Sequence, residues 1–110
     1  MGCYPIFILE KSDDTGGCMD KSPCDTHFVK ILPRWFEDVK SGKKNFEIRR
    51  FDRDYKTGDI ICLQEWEHGK YTGREIAKKI QYIYVGDGTY GLSEDHCVLG
   101  LAPEIYDVTH

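Results

Sequence analysis

Between Ser41 and Arg50 the chain changes its period, and that change limits what it can fold into. Before it, Trp35, Phe36 and Val39 recur at helical spacing, and Pro33 stands where the first turn of a helix tolerates a missing N–H. Gly42 is the residue expected to end that helix. After it, the pattern alternates with the two-residue period of a strand. Phe46 and Ile48 are expected to enter the core, with Asn45, Glu47 and Arg49 on the opposite face and Lys44 at the strand entrance. A face turned to water needs only polar residues. A Lys, a Glu and an Arg gathered beside one glycine turn ask for another explanation.

The remaining elements follow from the same signals. Strands are expected at residues 27–32, 45–50, 60–66, 76–85 and 96–101, and one short helix at 33–41. Trp35 and Phe36 of that helix read as packing anchors, since large aromatics mostly serve burial. Gly58-Asp59, His68-Gly69-Lys70 and Gly86-Asp87-Gly88 read as turns. An apolar run at residues 4–9 suggests a further strand, followed by a polar loop at 11–25. The fold class is therefore mainly β with one short helix (α+β), five or six strands making a small, partly open barrel. Three parts are expected: an N-terminal extension over 1–26, the barrel over 27–102, and an acidic tail over 103–110.

The net charge of −4 is unevenly spread. Residues 1–26 carry −3, residues 27–83 carry +4, and residues 84–110 carry −5 with no Lys or Arg. A basic body thus lies between acidic ends. An acidic chain is poorly suited to gripping long duplex DNA, because phosphate neutralisation supplies most non-specific affinity. A local basic cleft still suits a short single strand or a nucleotide. No apolar run approaches the roughly 20 residues of a membrane span. The start lacks the pattern of a signal peptide or a myristoylation site, so a cytoplasmic protein is expected.

Five cysteines without a secretion signal argue against a disulfide scaffold, and Cys62 and Cys97 read as small core residues. Cys18, Cys24 and His27 are close in sequence, but the cysteine spacing is wider than usual zinc pairs and no second pair follows. No metal and no other cofactor is expected. The chain has no Gly-x-Ser-x-Gly elbow, no phosphate-binding Gly-x-x-x-x-Gly-Lys loop and no His-Glu-x-x-His helix. RNA-binding RRM and KH signatures are absent as well.

The spacing Gly42-x-Lys44-x-x-Glu47-x-Arg49 is similar to the signature of ASCH domains, small barrels related to the PUA family of RNA-binding modules. The resemblance continues through Lys30-Ile31-Leu32-Pro33, Asp52-Arg53-Asp54, Gly58-Asp59-Ile60, Leu63-x-Glu65-Trp66, Tyr71-Thr72-Gly73-Arg74 and Val98-Leu99-Gly100-Leu101. Together these resemble one small ASCH-related family of bacteria and their phages, known only as a domain of unknown function. The resemblance implies a PUA-like pseudo-barrel whose cleft, lined by Lys44, Glu47 and Arg49, takes nucleic acid or a nucleoside. Some ASCH proteins resemble amidohydrolases that deacylate a modified cytidine with a Lys, a Thr three residues later and a distant Glu. Here Lys44 is kept and Glu47 stands at the Thr position. Other ASCH proteins have been assigned ribonuclease activity.

Elementary chemistry gives these side chains distinct roles. Arg49 offers a planar, two-pronged set of donors to a phosphate or a base edge. Lys44 offers a point charge, or a base if a dry cleft lowers its pKa. Glu47 can accept from a base amino group, position its neighbours or carry protons. A Glu between two cations is equally what a structural ion-pair network looks like. Arg53 could reach phosphate, Trp66 and Tyr71 could stack on a base, and Thr72 and Arg74 follow beside Gly73. Against these stand burial for Trp66, an ordinary hairpin end for Tyr71 and Arg74, and capping or surface roles for His27 and His96. Three functions are carried forward. The first is a module that binds RNA or a modified nucleotide through these residues. The second is a small hydrolase, amidohydrolase or ribonuclease, with Lys44 and Glu47 as its acid–base pair. The third is a phage or bacterial protein-interaction module whose acidic ends contact a host protein.

Overall fold

The computed structural model describes residues 24–108. The strand expected at residues 4–9 and the loop up to residue 23 lie outside them. In chain order the elements are β1 (Thr26–Ile31), α1 (Pro33–Lys40), β2 (Phe46–Arg50), β3 (Ile60–Glu67), β4 (Lys70–Val85), a one-turn 3-10 helix (Thr89–Gly91) and β5 (His96–Leu101). The protein is mostly β with one short α-helix among the described residues. Its five strands form a mixed sheet in the order β1-β3-β4-β5-β2, with β1 parallel to β3 and the other pairs antiparallel. Among the described residues no ladder joins β1 to β2, so the described sheet is open and these two strands are its ends.

Local chemistry accounts for the turn that delivers β2. Leu32 is extended ahead of Pro33, as the residue before a proline prefers. At the other end Gly42 adopts φ +85°, a conformation that only glycine enters freely, and its N–H donates to the Val39 carbonyl at 3.1 Å. The Lys44 N–H then returns to the Asp38 carbonyl at 2.9 Å. The chain therefore reverses directly from α1 into β2, with Lys44 fixed by its own backbone.

β4 begins six residues earlier than its apolar run suggests, because the β3–β4 turn is a two-residue hairpin. His68 (φ 54°) and Gly69 (φ 79°) are both left-handed, as a type I′ turn requires, and Glu67 pairs with Lys70 across it. The N-terminal half of β4 pairs with β3 and its C-terminal half with β5. A register shift between Ile80 and Tyr82 marks the change of partner and curls the sheet. Inside the curl lie Val29, Ile31, Ile61, Leu63, Ile76, Ile80, Leu99 and Leu101, closed over by Phe36 and Val39 of α1. The segment after β5 turns back over β4: Tyr106 bridges to Ala77, and buried Lys78 donates to the Pro103 carbonyl at 2.8 Å. No helix among the described residues is long and apolar enough to cross a membrane.

Candidate ligand cleft between the ends of the sheet

β2 alternates as expected, but with the opposite face inward. Glu47 is 4% exposed, whereas Phe46 is 39% and Ile48 56% exposed. The register supplies the reason. Glu47 pairs with Leu99, which has no exposure, while Phe46 and Ile48 pair with Gly100 and Val98 on the outer face. A carboxylate can occupy the inner face here because β2 is an end strand and two cations reach it. Lys44 Nζ pairs with Glu47 Oε2 and donates to the Phe46 carbonyl at 2.7 Å. Arg49 Nη1 lies 3.3 Å from Glu47 Oε1. Without them a buried, unpaired carboxylate would cost several kcal/mol, on the order of 3–5.

Above this triad a cleft of about 610 Å³ opens between β1, α1 and β2. Lys44, Glu47 and Arg49 form its polar floor, and Leu32, Trp35, Phe46 and Ile48 give it apolar walls. Lys30 and Asp38 stand at its rim. Trp35 therefore departs from the packing role expected of it. Phe36 is buried, but Trp35 is on the cleft wall, with the Arg34 guanidinium 4.6 Å from its ring.

Arginines also connect the two end strands of the described sheet. Arg49 Nη1 donates to the Lys30 carbonyl at 3.1 Å, and Arg53 Nη1 to the Phe28 carbonyl at 3.5 Å. The two carbonyls are two residues apart and therefore point the same way from β1, towards β2. Beneath these arginines Tyr55 is buried against His27, ring centroids 4.8 Å apart. Burial pushes the Tyr55 hydroxyl pKa up, with Arg49 and then Arg53 acting against it. His27 has a partner that the sequence did not disclose. Its Nε2 lies 2.8 Å from Asp59 Oδ2, and that carboxylate also accepts the N–H groups of Lys56 and Asp25. His96 opens β5, its Nδ1 2.9 Å from both Ser93 Oγ and Asp95 Oδ1.

The other candidate residues form a separate cluster. Between Gln64↔Glu75 and Trp66↔Tyr71 a single β3 residue, Glu65, faces three β4 residues, Thr72, Gly73 and Arg74. This is a bulge, and Gly73 makes it with φ +99°. It turns Thr72 Oγ1 onto Glu65 Oε1 at 2.6 Å, Arg74 Nε onto Oε1 at 2.9 Å and Arg74 Nη2 onto Oε2 at 2.7 Å. Arg74 also reaches Glu37 of α1 at 2.8 Å and lies 4.4 Å over the Phe36 ring. Hydrogen bonds from Arg74, then Thr72, hold the Glu65 carboxyl down at about 2 despite its burial. In the sequence Glu65 stood only within the motif Leu63-x-Glu65-Trp66, with no role assigned to it.

Trp66 and Tyr71 pack edge to face at 4.8 Å, and Lys30 Nζ lies 3.8 Å from the centre of the Trp66 ring. They reach the cleft only through Lys30. Lys44, Glu47 and Arg49 are thus brought together, and Arg53 is placed on the neighbouring seam. Trp66, Tyr71, Thr72 and Arg74 lie away from the floor.

Known proteins resemble this chain in sequence. An uncharacterized 12.9 kDa protein from the GpA 3′ region of Escherichia phage P2 is 43% identical to it over 54 residues, 49% of this chain and 50% of that one. The chain spans about half the length of the relative it matches. A family model covers the body of the chain from the start of β1 to the end of β5. By that match over residues 26–101, the chain belongs to DUF3850, a domain of unknown function.

Proposed function

We propose that the protein binds short single-stranded RNA or a modified nucleotide in the cleft between β1 and β2. In this reading the curled, open sheet is a PUA-like pseudo-barrel of the ASCH type, and the seam between its ends is the ligand entrance. The cleft carries the proposal. Its volume of about 610 Å³ falls in the range of small-molecule sites, and apolar walls over a small set of convergent polar groups are their usual make-up. A base would lie between Trp35 and the β2 side chains. Glu47 would accept from a base amino group, while Lys44 and Arg49 would donate to ring or carbonyl acceptors. The floor carries two cations against one carboxylate, so it favours a polar or anionic ligand without being a bare phosphate site. Lys30 and Arg53, at the rim and on the seam, are the candidates for phosphate.

The test is binding of short single-stranded RNA and of cytidine derivatives by titration calorimetry at low and moderate salt. Arg49→Ala is expected to weaken RNA binding, and Arg53→Ala to lower the salt slope by about 1. Absence of any RNA or nucleoside binding by the wild type at low salt sinks the proposal.

The direct Lys44–Glu47 contact supports a second reading, hydrolysis of a nucleoside amide or of RNA by that pair. Incubation with acylated cytidines and with RNA tests it. Turnover that persists in Lys44→Ala would assign the activity elsewhere.

A further inference from the structure

We propose that the outer face of β2, β5 and β4 is a stacking platform that carries the nucleotides following the one in the cleft; this rests on the single-strand reading of the cleft. Two rows cross that face. Phe46, Gly100 and Tyr82 are in register in the first, and Ile48, Val98 and Tyr84 in the second. Tyr82 is 64% exposed, and Phe46 and Ile48 are exposed as well. This is more apolar surface than an end strand needs, and end strands with apolar outer faces invite unwanted pairing.

Three observations favour a nucleic-acid strand over a protein partner. First, Phe46 and Ile48 belong to both surfaces, walling the cleft and heading the two rows, so a chain leaving the cleft meets the platform at once. Second, the middle of the first row is bare. Neighbouring strands are about 4.8 Å apart, so Phe46 and Tyr82, on either side of Gly100, stand about twice that distance from each other. A β-carbon placed on Gly100 would meet its nearest neighbour, Tyr82 Cβ, at 3.4 Å, so no side chain fills the gap between the two rings. Third, the rows hold no carboxylate and are flanked by cations. Lys44 Nζ lies 5.0 Å from the Phe46 ring while paired with Glu47, and Arg50, 3.5 Å from Asp95, ends β2 beside His96 with its side chain largely exposed. Aromatic rings for bases with cations for the backbone is the usual composition of a sequence-tolerant single-strand surface.

Fluorescence anisotropy with oligouridylates of one to six nucleotides, on the wild type, Tyr82→Ala and Tyr90→Ala, tests this. Affinity is expected to rise with length. Tyr82→Ala should weaken the hexamer about tenfold and leave the mononucleotide unchanged, since one stacked base is worth about that factor. Tyr90→Ala, 92% exposed and off the platform, should change neither. Binding that does not depend on length, or a hexamer unaffected by Tyr82→Ala, overturns the platform and leaves the cleft reading intact. No binding of any oligomer overturns the platform together with the single-strand reading of the cleft. A wild-type dimer in sedimentation that Tyr82→Ala converts to monomer would assign the face to self-association instead.

Discussion

Glu47 stands opposite Leu99 in the β2–β5 ladder, so a carboxylate shares its face with a residue that has no exposure at all. The charge is tolerated because Lys44 and Arg49 take one oxygen each. The cleft floor is therefore also a structural element of the sheet end.

Glu47→Ala leaves two cations converging on an empty position, so it should lower the unfolding free energy by about 2 kcal/mol. Urea denaturation measures this. The double variant Glu47→Leu with Lys44→Met should recover part of the loss, since a well-packed apolar group can replace a buried ion pair. A Glu47→Ala protein as stable as the wild type would show that the triad contributes nothing to the fold.

The Glu65 carboxyl is lowered from 4.5 to about 2 in the folded protein. A depressed folded pKa adds stability that is complete above the unfolded value and is lost as pH falls through the folded one. Stability should therefore decline between pH 4.5 and 2, and Glu65→Gln should flatten that part of the profile. Asp95, held at about 2 by Ser93 and His96, titrates in the same window, so a residual slope is expected in the variant. Denaturant midpoints measured at intervals from pH 6 to 2 check it.

Gly73 makes the bulge at φ +99°, with nothing within 4 Å of where a β-carbon would stand. Gly73→Ala should thus destabilise through backbone strain alone, by about 1–2 kcal/mol. Gly73→Asn should cost less, because Asn enters the left-handed region more readily. If the bulge relaxes instead, Thr72 and Arg74 leave Glu65, and the acid profile of Gly73→Ala should shift towards that of Glu65→Gln.

Lys78 is buried, and burial lowers its pKa below the usual 10.5, with Glu104 acting weakly the other way. Its charged form is disfavoured in the folded state, so the wild type should gain stability as pH rises towards 10.5. Lys78→Met should be as stable as the wild type or more so at pH 7, and its advantage should shrink above pH 9. Thermal melts across that range decide the point. A growing advantage at high pH would show that Lys78 is held mainly by its bond to Pro103.

What the sequence by itself determined is what short-range chemistry controls. Pro33 and Gly42 bound the helix, His68-Gly69 makes a turn, and apolar or alternating runs mark the body of each strand, because backbone conformation answers to residues a few positions away. The convergence of Lys44, Glu47 and Arg49 was legible for the same reason, since all three lie on one turn and the strand that follows. Tertiary structure alone decided which face of β2 turns inward. Alternation defines two faces but does not rank them, and Phe46 and Ile48 are the more apolar pair by any local measure. Pairing with Leu99 on one side and two cations on the other reversed that preference. Glu65 and Asp59 were hidden for a related reason: each acquires its partners only when a bulge or a distant strand brings them within hydrogen-bonding distance. The open seam between β1 and β2, where the cleft lies, is a property of strand order, and strand order is set by contacts between segments far apart in the chain.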